Sequence, residues 1–282
     1  MADLFHRMSN VLRDSAPSVH RGFRSLASRW MNAEHPVFAV PKLLAGRIVW
    51  MHPRFLTGNF DSMEPHVFTW IDKYLRADSV ALDIGANFGI MSLFMGRIAG
   101  QGGRIYAFEP SPANAAVLRF HCEHNPQFNI RPVNAAVSNQ HNGSASFFLL
   151  DGGLHSGNSL TFDRGFVPNL DPTLHAAQKE IRVETVTIDG FCTANDVKPD
   201  LIKIDIEGAE ILALEGARQT LLNTHPAVIL AVHPWWLPEG RTVNELQYLL
   251  DGVGYSILKP DGEPANQLEY AEYLCIPSYM LS

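Results

Sequence analysis

The sequence predicts an α/β domain built on a mostly parallel sheet with helices on both faces. Three observations carry this. From residue 80 onward, short apolar runs alternate with helical patterns. The run starting at Val80 ends in an acid and opens a tight Gly-x-Asn-x-Gly turn. The later runs stay almost wholly apolar, as strands covered on both faces must.

Residues 1–50 read as an N-terminal extension, and 51–282 as the main domain with an insertion over 138–187. Leu4, Phe5, Met8, Val11 and Leu12 recur at helical spacing. That amphipathic stretch, residues 3–13, is expected to cap the domain, with a second subunit (a homodimer) or a membrane surface as other partners. Gly46 to Met51 reads as a short strand, and Pro65 to Leu75 as a helix. The stretch Val80-Ala81-Leu82-Asp83-Ile84 is a buried strand, and Gly85-Ala86-Asn87-Phe88-Gly89 turns it into a helix over Ile90–Ala99.

Arg104–Phe108 is the next strand. Ser111 then caps a helix that begins with Pro112 and must stop before Pro126. Ile130–Val137 reads as the third strand. The insertion holds two strands, Ala145–Leu150 and Ile181–Thr187, around a Gly-, Ser- and Asn-rich stretch from Asp151 to Asn169. Its length points to a lid over residues 151–180. Leu201–Ile206 is the fourth strand, followed by a helix with Ile211, Leu214, Ala217 and Leu221 on one face. Ala227–Val232, a helix over Val243–Leu250, Val253–Leu258 and Glu272–Ile276 complete the chain.

Composition narrows the function. With 282 residues, 46% of them hydrophobic, the chain can bury a sizeable core. A net charge of −7 argues against a general nucleic-acid binder. Cys122, Cys192 and Cys275 lack metal-ligand spacing and read as reduced thiols. No apolar run approaches a membrane span, and residues 1–30 hold no secretory core, so a cytoplasmic protein is expected.

The turn after Asp83 is a cofactor site by its chemistry. A pyrophosphate would want Gly-x-Gly-x-x-Gly, but here Asn87 and Ile90 replace the second and third glycines. Asp83 would also repel a phosphate. S-adenosylmethionine carries an ammonium and a sulfonium and no phosphate, so an acid favours it. Glu109, at the end of the next strand, suits two ribose hydroxyls. Phe88 within the turn, and Pro110 and Ser111 after Glu109, join the expected cofactor contacts. Glu64, ahead of the helix at Pro65, is a candidate for the cofactor's amino-acid end or for pairing with Lys203.

Lys203 and Asp205 interrupt an otherwise apolar strand on one face, and Glu207 joins them if the strand stays extended. Buried charges need partners or a task. His233 follows the fifth strand on the same rim. Asp205, beside the cofactor turn, is also an expected cofactor contact; it and His233 are candidate bases for a hydroxyl proton, with Glu207 beside them. All three are hard ligands that could hold Mg²⁺. Trp235 and Trp236 offer flat surfaces of the kind sugar rings stack on.

Taken in sequence, Asp83–Gly89, Phe108-Glu109-Pro110, Asn134-Ala135-Ala136 and the segment from Lys203 to Glu210 resemble the successive motifs of FkbM-type methyltransferases. Ser159-Leu160, Val186–Asp189 and Leu214–Ala217 fit the same pattern, and the likeness runs from about Glu64 to His233. It implies the class I methyltransferase (Rossmann-like) fold, a seven-stranded sheet whose last strand is antiparallel. It also implies that Asp83, Gly85, Asn87 and Gly89 line the methionine end, that Glu109 holds the ribose, and that Asn134 and Ala135 border the adenine. The expected activity is S-adenosylmethionine-dependent methylation of a hydroxyl on a sugar, as part of a glycan, a glycolipid or a glycosylated natural product. Mg²⁺-assisted methylation of a polyketide or other small molecule, and a non-catalytic cofactor-binding module, are the alternatives.

Overall fold

The computed structural model describes residues 36–56, 60, 63–150, 158–160 and 179–281. The expected helix over 3–13 lies outside them. So does the expected lid, apart from Asn158–Leu160 and the strand that begins at Lys179.

The described chain opens with a hairpin, β1 (Val40–Leu44) and β2 (Arg47–Met51). Ala45 and Gly46 link them, both with positive φ, which matches the twist of a two-residue hairpin. The sequence reading found β2 and missed β1. Then follow α1 (Pro65–Tyr74), β3 (Val80–Ile84), α2 (Ile90–Ala99), β4 (Arg104–Phe108) and α3 (Pro112–His124). Ser111 caps α3 by accepting from the Asn114 N–H.

The expected strand over Ile130–Val137 is two strands, β5 (Ile130–Val133) and β6 (Ala136–Val137), in different sheets. The break is at Asn134, whose amide donates to the carbonyls of Glu109 and Pro110 and draws the chain off the main sheet. The insertion contributes β7 (Gly143–Leu149) and β8 (Lys179–Val186). With β6 they make a three-stranded sheet in the order β6-β8-β7.

The unpredicted α4 (Ile188–Asn195) is capped by Thr187, which accepts from the Gly190 N–H. The next strand, β9 (Leu201–Ile204), stops two residues early, and Glu207, three residues on, takes a left-handed φ of 54°. The single helix expected next is two, α5 (Glu210–Glu215) and α6 (Arg218–Thr224). They divide at Gly216, where the Ser138 carbonyl packs so closely that a Cβ would lie 2.5 Å from it. The chain ends with β10 (Ala227–Val232), α7 (Val243–Asp251), β11 (Tyr255–Leu258) and β12 (Ala271–Pro277).

Among the described residues the main sheet has seven strands in the order β11-β12-β10-β9-β3-β4-β5. β9, β3, β4, β5 and β10 run parallel, and β12 is antiparallel to both neighbours. This is the class I methyltransferase topology. Order reverses at β3, so the crevice outside the carboxyl ends of β3, β4 and β9 is where a ligand belongs. Leu82, Ile84, Phe108, Ile202 and Leu230 pack on one face, and Ala81, Ile105, Leu201 and Ile229 on the other. Each large aliphatic side chain buried this way contributes roughly 1.5–3 kcal/mol.

The hairpin has a positional role. The His52 N–H donates to His121 Nε2 at 2.9 Å, and His121 Nδ1–H donates to the Phe88 carbonyl at 2.7 Å. Burial holds the His121 pKa down at about 3, so this neutral bridge persists across the physiological range. Asn125 completes the attachment by pairing with both the N–H and the carbonyl of Trp50. Among the described residues no helix is long and apolar enough to cross a membrane.

Candidate active site

A cavity of about 470 Å³ opens at the carboxyl ends of β3, β4, β9 and β10, within the range typical of small-molecule sites. Glu64, Asp83, Gly85, Asn87, Phe88, Glu109, Pro110 and Ala135 line it, as do Asp205, Glu207 and His233. Three expected cofactor residues do not. Ser111 is fully buried as the cap of α3, and Asn134 braces the turn after β4. Gly89 supports the turn from behind, where a Cβ would meet Leu118 at 2.4 Å.

The β3–α2 end is held by backbone. Gly85 has φ 81°, and its missing side chain admits the Asp205 carbonyl, which would lie 1.8 Å from a Cβ. Glu109 accepts from the Asn87 N–H at 2.9 Å and the Ser111 N–H at 2.8 Å, one on each oxygen. Burial raises its pKa to about 7 against those hydrogen bonds. Asp83 is fully buried and accepts from the Ser92 hydroxyl through Oδ2, while Oδ1 has no hydrogen-bond partner among the described residues. Burial raises its pKa, and Lys203 opposes the rise.

These residues fit S-adenosylmethionine. Asp83 offers a buried carboxylate oxygen to an ammonium group. Glu109 already accepts from Asn87, Ser111 and Asn114 and keeps acceptor capacity for a ribose hydroxyl. The first turn of α2 has no side-chain cap, which suits a ligand carboxylate. Phe108, Ala135 and Val137 supply an apolar wall for a planar base.

The β9–β10 end is held by side chains. Lys203 pairs with Asp83 across the sheet in register, and its ammonium donates to Asp205 Oδ2 at 2.8 Å. Burial alone would lower the Lys203 pKa, but Asp205, Asp83 and Glu64 together raise it. Burial would likewise raise Asp205, yet Lys203 and His233 bring it below the usual carboxylate value. Glu64 lines the cavity and starts α1 with its carbonyl. Its own pKa is raised by burial, with Lys203 acting against it.

Glu207, in left-handed backbone beyond the strand, still brings its carboxylate to the cluster. Glu207 Oε2 lies 3.3 Å from His233 Nε2, and Asp205 Oδ1 lies 3.8 Å from the same nitrogen. His233 Nδ1 donates to Glu210 at 2.8 Å. Burial would lower the histidine pKa, but Glu210, Glu207 and Asp205 outweigh it and hold it at about 9. Burial raises Glu207 to about 8, partly offset by His233.

Several residues here have roles that the sequence does not show. Glu210 belongs to the quoted motif, but nothing in its spacing shows that it would reach His233. Ser92, nine residues after Asp83, is recognisable only as a polar residue on an apolar helix. Ser159 donates to the Glu207 carbonyl at 2.6 Å, tying the insertion to the turn after β9. Tyr270 lines the cavity near Trp235, their rings 5.3 Å apart. Trp236 stacks on His233 at 5.1 Å, which leaves Trp235 as the exposed tryptophan of the pair.

Comparison with known proteins identifies the family. A curated relative, the 31-O-demethyl-FK506 methyltransferase FkbM of Streptomyces tacrolimicus, is 32% identical over 137 residues. The match takes in 49% of this chain and 46% of the relative, so the chain spans about half of that protein's length. A solved methyltransferase FkbM from Methylobacillus flagellatus KT is 18% identical with a TM-score of 0.44, covering 92% of this chain and 60% of that one. A fibrillarin pre-rRNA processing protein of Methanococcus jannaschii is 14% identical with a TM-score of 0.46, covering 84% of this chain and 81% of that one. Residues 83–257 match the methyltransferase FkbM domain. The chain belongs to the FkbM methyltransferase family.

Proposed function

We propose that this protein is an S-adenosylmethionine-dependent O-methyltransferase acting on a hydroxyl of a sugar, free or within a glycan, glycolipid or glycosylated natural product. One observation carries the reading. A single cavity joins a phosphate-averse cofactor cradle at Asp83 and Glu109 to a proton-handling cluster at Asp205, Glu207 and His233. The curated relative's name specifies an O-demethyl acceptor, which favours oxygen over nitrogen or carbon as the methylated atom.

When bound, S-adenosylmethionine supplies a methyl group already activated by its sulfonium. The protein must then align an acceptor oxygen and manage one proton. Asp205, held ionised by Lys203, is the weaker base and the better orienter: its oxygen facing His233 can accept from the acceptor hydroxyl. His233 Nε2, once neutral, is the stronger proton acceptor, with Glu207 beside it to share the charge. Glu210 keeps the other ring nitrogen protonated and so directs Nε2 to the cavity. Trp235 and Tyr270, both largely exposed beside the cavity, offer apolar faces to a sugar ring.

The test is single-turnover methyl transfer from labelled S-adenosylmethionine to a pool of glycans and glycosides. His233→Gln and Asp205→Asn should each lower the rate by about 10²–10⁴-fold while leaving cofactor affinity within a few-fold of parental. Near-parental rates in both would remove the cluster from the chemistry.

A further inference from the structure

We propose that Asp205, Glu207 and His233 form a binding site for one divalent first-row transition ion, whose open positions take an oxygen of the acceptor. The inference rests on the methyltransferase reading and changes only how the acceptor's proton is managed.

The geometry is that of a ligand set. One donor atom from each residue lies within 4.8 Å of the other two. His233 Nε2 stands 3.3 Å from Glu207 Oε2 and 3.8 Å from Asp205 Oδ1. Donors bound to one ion at roughly 2.0–2.2 Å sit about 3.0–3.6 Å apart, so small shifts would close the set. The residues follow two adjacent strands, Asp205 and Glu207 after β9 and His233 after β10, and all three face the cavity.

The surrounding residues are arranged as supports for such a set. Glu210 has no exposed surface, accepts from His233 Nδ1 at 2.8 Å, and is itself held by the Gly208 N–H at 3.1 Å. A carboxylate behind a histidine, fixing its tautomer and aiming the other nitrogen, is the usual partner of a metal-ligating imidazole. Lys203 does the same for Asp205, binding Oδ2 and leaving Oδ1 on the cluster side. Ser159 fixes the Glu207 backbone.

The donor types select the ion. Two carboxylates and one imidazole suit Mn²⁺, Fe²⁺, Co²⁺ or Zn²⁺ better than Mg²⁺ or Ca²⁺, which prefer all-oxygen shells. All three residues line the cavity, so the remaining positions would open to it. An acceptor hydroxyl bound there would ionise nearer neutral pH, and its proton would pass to water. The cluster would then act as ligand set and would no longer be the final proton acceptor.

Mn²⁺ is the probe. The full chain, stripped with a chelator, is titrated with Mn²⁺ and followed by electron paramagnetic resonance, with S-adenosylmethionine affinity measured on the same sample. One bound Mn²⁺ per chain is expected, with a ¹⁴N coupling from one imidazole that disappears in His233→Gln. Glu210→Gln should weaken Mn²⁺ by about 10–100-fold. No bound Mn²⁺, or bound Mn²⁺ lacking imidazole coupling in the parent protein, overturns the site. Equal Mn²⁺ binding by His233→Gln marks an adventitious ion only and overturns it too. Cofactor binding without Mn²⁺ binding would sink this inference alone, whereas failure to bind S-adenosylmethionine would sink the methyltransferase reading beneath it.

Discussion

At the β3–β4 end of the cavity, the groups facing a ligand are positioned by main chain. Gly85 yields space to a carbonyl, and Glu109 is clamped by two N–H groups. At the β9–β10 end, charged side chains position one another: Lys203 on Asp205, Glu210 on His233, and Glu207 3.3 Å from the histidine. The first arrangement suits a fixed ligand common to many acceptors. The second keeps several protons in play near neutral pH, as the values for Glu207 and His233 show. The difference separates a rigid holder from a site that can answer to an acceptor or a cation.

The largest expected effect comes from removing the link between the two ends. Lys203 faces Asp83 at the cofactor end and Asp205 at the acceptor end, with little exposure. Lys203→Met strands buried carboxylates and should destabilise the fold by roughly 3–5 kcal/mol in urea denaturation at neutral pH. A loss under 1 kcal/mol would mean that the two ends are electrostatically independent.

A smaller effect sharpens the contrast at the cofactor end. Asp83→Ala and Glu109→Ala should each weaken S-adenosylmethionine by about 1–3 kcal/mol, since each deletes charge-assisted hydrogen bonds. Calorimetry on the folded variants checks this, and unchanged affinity in both would contradict it.

The smallest effect is a pH slope. Burial raises the Glu109 pKa to about 7, and hydroxyls of a bound ribose would donate to its ionised form. Protonation competes with binding, so affinity should be flat above pH 7 and fall up to about tenfold per unit below it. Glu109→Gln should abolish the slope. A slope retained in that variant would assign the proton to the acceptor end.

The same contrast explains what was legible in the sequence. Strand Val80–Ile84, helix Ile90–Ala99 and strand Arg104–Phe108 were read correctly because apolar period, glycine turn and terminal acid all fall in one continuous stretch. Asp83 and Glu109 were visible as acids at strand ends. Lys203, Asp205 and His233 were visible because charge on a buried strand or its rim is out of place. Glu210 and Ser159 stood out only as members of family motifs, with no role, and Tyr270 not at all, since each works by meeting a partner from a distant segment. Glu207 was found for an incomplete reason. An extended strand was expected to carry it to the same face, and a left-handed backbone delivers it instead. The breaks at Asn134 and Gly216 follow from tertiary hydrogen bonding and a close carbonyl, neither of which leaves a local pattern.

Titration calorimetry of the parent protein with S-adenosylmethionine, and separately with NAD, tests the central claim most directly. The account predicts one S-adenosylmethionine site per chain and no measurable NAD binding, because Asp83 is buried where a pyrophosphate would lie. Tight NAD binding, or no binding of S-adenosylmethionine by folded protein, would contradict it.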